Sequence, residues 1–223
     1  MSRRSSSSHR FFPSIAAAIG ASVLLTACFT GERPMLEEQE SAPIVSTGNA
    51  AIDTVLGLLD SVGTSEFTAG YQIDTKFNTV SSTGLVVQAA GQRRSVTVEN
   101  DERSVRFIVD ASEELTCDLI TTDCEVGLND ARISDTQLPH TFYGPAFAAR
   151  LRADADRRIG DSAVYEKVIA GQAATCVGVV VAGGTKTYCA LQSGSLAEFI
   201  GADVNIKLTS YSPRPDITKF GST

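Results

Sequence analysis

The stretch FTAGYQID at residues 67–74 alternates apolar with polar or small side chains, and this alternation decides the fold class. A period of two is typical of a β-strand that buries one face and exposes the other. The pattern recurs at residues 96–99, 104–110 and 115–119, and it is most regular at residues 204–209. Turn-forming residues at 91–92, 100–101 and 111–112 separate the early segments. The first half of the chain therefore predicts an antiparallel meander of about five strands.

Two segments have the period of an α-helix. Residues 50–62 place apolar side chains at i, i+3, i+4 and i+7, with Asn49 as a candidate N-cap and Gly63 as a stop; these side chains are Ile52, Val55, Leu56 and Leu59. Pro145 begins a second helix, and Gly160 lies beyond its end. Between the two halves, residues 127–144 are rich in loop-forming residues and predict no regular element.

Strands are predicted again at residues 163–170, 175–181 and 185–191, before the final one at 204–209. The predicted fold class is therefore α+β: a large antiparallel sheet with two helices. About nine strands would span roughly 43 Å, whereas a helix is only about 10–12 Å wide. We expect the sheet to curl around the helices. Periodicity does not decide whether the curled sheet encloses a packed core or an apolar hollow.

The N-terminal 28 residues have the layout of an export signal. Residues 1–10 are basic and polar, residues 11–25 are mostly apolar, and the tetrapeptide Leu25-Thr26-Ala27-Cys28 resembles the lipobox of bacterial lipoproteins. The apolar segment would be about 22 Å long as a helix, too short for a bilayer core of about 30 Å. We expect residues 1–27 to be removed and Cys28 to be acylated, which would leave the protein on the outer face of the bacterial cell membrane. The Arg3-Arg4 pair leaves the export route open.

Residues 28–49 are predicted to be the acylated cysteine and its tether, and residues 50–223 one globular domain. The tether contains Pro, Gly, Glu and Ser without any period. In the domain the four remaining cysteines form two close pairs. In an oxidising compartment such spacing favours disulfides, and sequential pairing is the simplest of three connectivities: Cys117 with Cys124, and Cys176 with Cys189. Pairing of the last two would centre a hairpin turn on Ala182-Gly183.

Composition and motifs exclude several classes of function. The formal charge of −7, which becomes −10 without Arg3, Arg4 and Arg10, disfavours binding to nucleic acids. Cysteine spacings and a single domain histidine, His140, fit no zinc site, so neither a metal nor a cofactor is expected. The Gly160-Asp161-Ser162 triplet matches the start of a GDS-type esterase motif, but the sequence lacks the Asp-x-x-His motif that would supply the base. An enzyme is therefore not expected, and an exported hydrolase would require serine, histidine and an acid in one cleft.

The order of these features resembles a known family. The chain resembles the outer-membrane lipoprotein carrier (LolA-like) superfamily and the LppX/LprG lipid carriers in the order of its six features. These are a lipobox, an acidic tether, an N-terminal helix, a long meander, a helix that begins with proline and a closing hairpin. The cysteine segments at residues 115–124 and 174–189, followed by Ser193-Gly194-Ser195-Leu196, resemble disulfide-bearing actinobacterial members. The resemblance implies a curled antiparallel sheet, or half-barrel, with helices across its concave face, which encloses an apolar cavity for an acyl chain or lipid.

Two functions follow as hypotheses from different classes. The first is an anchored lipoprotein that binds and carries or presents a lipid or other apolar ligand. Its candidate lining residues are the inward-facing Leu56, Leu59, Phe67, Tyr71, Phe107, Val179 and Ile206. The second is an envelope protein with a filled core that binds a partner protein through a sheet edge or the 127–144 loop. The simplest interpretation of His140, Pro139, Phe142 and Tyr143 is a loop anchor; if a cavity exists, they could instead form a lip at its mouth.

Overall fold

A computed structural model describes residues 46–76 and 79–221 of the chain. The predicted export signal, the predicted acylation site Cys28 and most of the predicted tether lie outside these residues. Among the described helices, none is both long and apolar enough to span a bilayer.

The centre of the fold is one open antiparallel sheet of eleven strands. The strands are β1 (Phe67–Thr75), β2 (Val80–Ala89), β3 (Arg93–Glu99), β4 (Ser104–Val109), β5 (Glu114–Asp118), β6 (Asp123–Val126), β7 (Val164–Ile169), β8 (Gln172–Val181), β9 (Gly184–Leu191), β10 (Leu196–Ile200) and β11 (Val204–Ser212). Their spatial order is β6-β5-β4-β3-β2-β1-β11-β10-β9-β8-β7. The sheet is therefore two meanders joined where β1 pairs with β11, which places β6 and β7 at its edges.

Three α-helices accompany the sheet: α1 (Ala50–Asp60), α2 (Asp130–Asp135) and α3 (Pro145–Asp156). The Asn49 side chain accepts hydrogen bonds from the backbone N–H groups of Ala51 and Ile52, which confirms the predicted N-cap of α1. The predicted apolar stripe of α1 is completely buried. Helix α1 packs against α3 and against β7, β8 and β9. Helices α1 and α3 thus cover the second meander.

The segment between α2 and α3 covers the same face of the first meander. Phe142 packs edge to face on Tyr71, with ring centroids 5.2 Å apart. Gly84 makes room for the Phe142 ring, because a Cβ at that position would lie 3.0 Å from its Cζ atom. Tyr143 contacts Phe67 in a similar way. Side chains of α1, α3 and this segment join those of the sheet in one apolar core.

The opposite face of β1 to β4 carries the C-terminal segment. The Thr68 hydroxyl donates to the carbonyl oxygen of Arg214, and the Ser95 hydroxyl donates to that of Lys219. The Arg106 guanidinium donates to the carbonyl oxygen of Gly221. These hydrogen bonds hold residues 214–221 against strands that are distant in the sequence.

Both predicted disulfides are present. Cys117 on β5 is bonded to Cys124 on β6, and Cys176 on β8 is bonded to Cys189 on β9. Each pair lies directly opposite in the strand register. In the second hairpin Val181 pairs with Gly184, so the turn is Ala182-Gly183 as the cysteine spacing predicts.

The fold differs from the sequence expectations in three respects. The strand count was too low, because β6 is short and fully exposed and β10 is buried on both faces from Leu196 to Phe199, so neither has a clean period of two. The 127–144 segment is not all loop, since α2 forms behind an N-cap at Asn129. Helix α3 ends at Asp156, one turn before Gly160.

Candidate functional site

A half-open cleft of about 520 Å³ lies between α3 and the end of the sheet where β1 and β11 pair. Its lining comes from four segments of the chain and is mostly apolar: Thr75, Gln137, Leu138, Pro139, Ala146, Phe147, Arg150, Asp203 and Val204. Thr75 and Val204 are direct partners in the β1–β11 register. Ala146, Phe147 and Arg150 project from the first turns of α3, which Pro145 begins. The cleft is therefore positioned by rigid elements on two sides and by a loop on the third.

The rim of the cleft carries an ion pair. The Arg150 guanidinium donates to both carboxylate oxygens of Asp203, at 2.9 and 2.6 Å. It also lies over the rings of Phe199 and Phe147, 4.6 and 5.8 Å from their centroids. Burial alone would raise the pKa of Asp203, but the hydrogen bonds and charge of Arg150 outweigh burial and hold that pKa below its ordinary value. Both groups are therefore charged at neutral pH, and the cleft has a polar rim over an apolar floor.

The predicted lining residues occupy a different place. Leu56, Leu59, Phe67, Tyr71, Val179 and Ile206 are all fully buried members of the main apolar core. Phe107 is equally buried, and its ring lies 6.0 Å from that of His140. The structure thus brings six of the seven into one cluster, in contact with the protein's own side chains. None of the seven lines the cleft of about 520 Å³.

The four residues of the proposed lip lie in different places. Pro139 lines the cleft, while Phe142 and Tyr143 are buried in the core. His140 is half-buried between Phe107 and the charges of Arg94 and Glu114. Burial lowers its pKa, the Arg94 charge lowers it further, and Glu114 partly offsets both. His140 therefore remains largely neutral at pH 7 and anchors the loop on β4.

The arginines of α3 do not form the pairs that their spacing predicted. Asp154 and Asp156 follow Arg150 and Arg152 by four residues, which favours ion pairs along an exposed helix face. Instead Arg150 pairs with Asp203, and Arg152 pairs with Asp60 of α1. Asp154 is buried and binds Lys186 and Tyr188 of β9. That prediction was wrong because α3 packs against other elements on the face that carries these side chains.

The described residues hold neither a serine with a histidine base at Ser162 nor a metal-binding cluster. The Ser162 hydroxyl is buried without a hydrogen-bond partner in the part of the chain that the structure describes, so no histidine base contacts it. Across residues 46–76 and 79–221, no group of three or more His, Cys, Asp or Glu side chains is arranged to hold a metal ion. What the described arrangement offers is an apolar binding cleft.

Comparisons with known proteins identify the fold. No protein-family model matches the chain, and no curated protein matches its sequence. Among solved structures, MucB is similar with a TM-score of 0.52 and 13% identity over 78% of this chain and 63% of MucB. The Pseudomonas aeruginosa MucA/MucB complex gives a TM-score of 0.50 and 13% identity over 77% of this chain and 60% of the matched chain.

A second complex, of MucB with MucA(peri), gives a TM-score of 0.50 and 10% identity over 76% of this chain and 59% of the matched chain. The chain thus spans less than two thirds of the length of these proteins. At such low identity the likeness shows the fold alone. It supports the LolA-like fold that the sequence resemblance implied.

Proposed function

We propose that this chain is an exported envelope lipoprotein, anchored through Cys28, that binds an apolar ligand in the cleft beside α3. The observation that carries the proposal is the cleft itself. Its volume of about 520 Å³ falls within the range of about 300–1,000 Å³ that is typical of small-molecule sites. A mostly apolar lining with a few polar groups at the rim is also typical of such sites.

The ligand chemistry follows from the lining. Leu138, Phe147 and Val204 offer apolar contacts and no hydrogen bonds, so affinity would come from removing hydrocarbon from water, at about 0.8 kcal/mol per methylene. Arg150 is already paired with Asp203, so the rim does not require an anionic ligand. An acyl chain or another slender apolar group fits these conditions.

A longer acyl chain would have to enter the core. We propose that the sheet curls around α1, α3 and the segment between α2 and α3, as the burial of one sheet face beneath them supports. Leu56, Leu59, Phe67, Tyr71, Phe107, Val179 and Ile206 would line an extension of the site only if α1 moved away from the sheet.

Binding is tested with a fluorescent acyl probe and the full chain carrying Cys28→Ser, so that its own acylation does not interfere. Ala146→Phe places a ring in the cleft and should weaken probe binding at least tenfold. Ala149→Phe is the matched control, because Ala149 lies on the exposed side of the same helix. Equal affinities for wild type and Ala146→Phe, or no probe binding by the wild type, would reject the cleft as the site.

The anchor has its own test. Cys28→Ala should prevent acylation and shift the protein from the membrane fraction to the soluble fraction, or leave it unprocessed. Two or more acyl chains are needed for stable membrane residence, and their loss removes that affinity. Unchanged fractionation with an unchanged mass would show that Cys28 carries no lipid.

A partner protein is the second candidate, and two observations favour it. MucB has been solved in complex with MucA. In addition, β7 is an edge strand on which Val164 and Val168 are 46% and 73% exposed, and an exposed strand edge can add a strand from another protein. A photo-crosslinker at Val168 should then give a discrete adduct in cells, while one at the exposed Ile120 should not. Absence of an adduct at Val168 would oppose this candidate.

A further inference from the structure

The face of the sheet beneath the 136–144 loop contains a group of polar side chains that the cleft does not use. Phe67, Gln88, Arg94, Val109 and Glu114 lie opposite one another across β1 to β5, so all five point to the same face. Tyr143 lies above this row against Phe67. The Arg94 guanidinium lies beside the Tyr143 hydroxyl, and its charge and a hydrogen-bonding contact between the two groups oppose the rise in the pKa of Tyr143 that burial causes.

Three polar atoms of the row and of Tyr143 above it are buried without a hydrogen bond of normal geometry to any described residue. They are Arg94 Nε, Gln88 Oε1 and the Tyr143 hydroxyl oxygen. The Gln88 amide is held in place, because its Nε2 donates to the carbonyl oxygens of Val62 and Ser65 at 2.5 and 2.8 Å. Rotating the amide so that Oε1 and Nε2 exchange positions would break both of these hydrogen bonds, so Oε1 stays where it has no donor. Leaving buried donors and acceptors unpaired costs free energy, so a bound group that satisfies all of them is favoured.

The positive charge of the Arg94 guanidinium also lacks a carboxylate partner. Within the described ranges no carboxylate lies in ion-pair distance of Arg94. Its sequence neighbour Arg93 differs in this respect, since it points to the other face, pairs with Asp110 and lies over the Phe220 ring. His140 and Glu114 are the other titratable groups of this face, and the charges of Arg94 and Glu114 act on His140 in opposite directions. Arg94 is only half-buried, so part of its side chain reaches solvent.

We propose that Arg94, Tyr143 and Gln88 form a binding site for a phosphate group that keeps one proton. Arg94 Nε and the Tyr143 hydroxyl would donate to the charged phosphate oxygens, and the phosphate hydroxyl would donate to Gln88 Oε1. A carboxylate or a sulfate has no proton to give to Gln88, and a phosphodiester has none either. The remaining sources are inorganic phosphate and a phosphate monoester such as the headgroup of phosphatidic acid. This site is separate from the cleft and does not depend on the proposed function.

The test is calorimetric titration of the full chain carrying Cys28→Ser at pH 7, with inorganic phosphate and sulfate as separate probes. Phosphate should bind at least tenfold more tightly than sulfate. Arg94→Gln should weaken phosphate binding at least tenfold, and Arg93→Gln, the matched control, less than twofold. Tyr143→Phe should weaken phosphate binding several-fold while leaving the free energy of unfolding unchanged or raised, which separates binding from a structural role.

Two results would overturn the proposal. Equal affinity of wild type and Arg94→Gln for phosphate would mean that ordinary water fills the row. Equal affinity for phosphate and sulfate would mean that the site recognises charge alone. Dihexanoyl phosphatidic acid below its aggregation concentration then identifies the source: binding tenfold tighter than inorganic phosphate assigns the site to a lipid headgroup, and equal binding assigns it to free phosphate.

Discussion

Lys186 of β9 donates to both carboxylate oxygens of Asp154 on α3, at distances of 2.7 and 2.9 Å. The Tyr188 hydroxyl donates to the same carboxylate. Asp154 is only 3% exposed, so a charged group has been taken out of water and satisfied by two neighbours on one strand. Burial, and then the hydrogen bond to Asp154, raise the pKa of Tyr188. These three side chains join α3 to the second meander.

Asp154→Ala should therefore destabilise the fold strongly. The substitution leaves the Lys186 ammonium and the Tyr188 hydroxyl largely buried without their acceptor, and breaking a buried pair in this way costs about 3–5 kcal/mol. Asp156→Ala on the exposed side of the same helix is the control, and should change the free energy of unfolding by less than about 0.5 kcal/mol. Urea denaturation measures both. Similar losses for the two variants would show that the buried carboxylate has no special role.

Removing the Cys176–Cys189 disulfide should cost about 3 kcal/mol, and removing Cys117–Cys124 about 2.5 kcal/mol. The estimates follow from the chain entropy that each closed loop removes from the unfolded state, for sequence separations of 13 and 7. Paired Cys→Ser variants, unfolded in urea, give the two values. An equal or larger loss for the shorter loop would contradict this ordering and indicate that packing around Cys117 dominates.

Gly194→Ala should be far more damaging than Gly183→Ala. Both glycines have positive φ angles, +83° and +103°, so both substitutions strain the backbone by about 1–3 kcal/mol. At Gly194 an added Cβ would also lie 2.5 Å from the carbonyl oxygen of Leu58 and from the amide nitrogen of Val62, whereas Gly183 has open space. Thermal denaturation should show a much larger fall in Tm for Gly194→Ala. Equal falls would mean that the loop at 192–195 moves freely away from α1.

The stability of the fold should decrease when His140 is protonated. Burial, and then the charge of Arg94, lower its pKa in the folded state below the ordinary value of 6.5. Below pH 6.5 the unfolded chain therefore binds more protons at this position, so its contribution to stability is complete above pH 6.5 and is lost as the pH falls through the folded pKa.

The measurement compares urea unfolding of wild type and His140→Gln at pH 7.5 and pH 5. Wild type should lose more stability than the variant over this interval, because carboxylates contribute equally to both proteins. The same loss in both would show that His140 titrates as it does in the unfolded chain.

Much of the fold follows from local signals in the sequence. The cap at Asn49, the stripe of α1 and the turn at Ala182-Gly183 each depend on residues close together in the chain, and each is confirmed. The disulfides are of the same kind, since each links strands of a single hairpin. Strand β10 could not be recognised because burial on both faces removes the alternation of apolar and polar side chains.

The candidate site could not be predicted in the same way. Thr75, Phe147 and Val204 lie in three distant segments, and only the β1–β11 pairing and the packing of α3 bring them together. Apolar periodicity identifies side chains that leave water, but a core position and a cavity wall have the same period. For that reason the seven nominated residues were found buried, while the cleft formed elsewhere.

The joining of the two meanders through β1 and β11 has a consequence for how the protein folds. Within each meander every strand pairs with its neighbour in sequence, so these contacts close short loops. The pairing of Ile73 with Ile206 instead closes a loop of 133 residues, at an entropic cost of about 4 kcal/mol. The two halves can therefore form hairpin by hairpin, and the full sheet assembles only after the last strand is available to pair with the first.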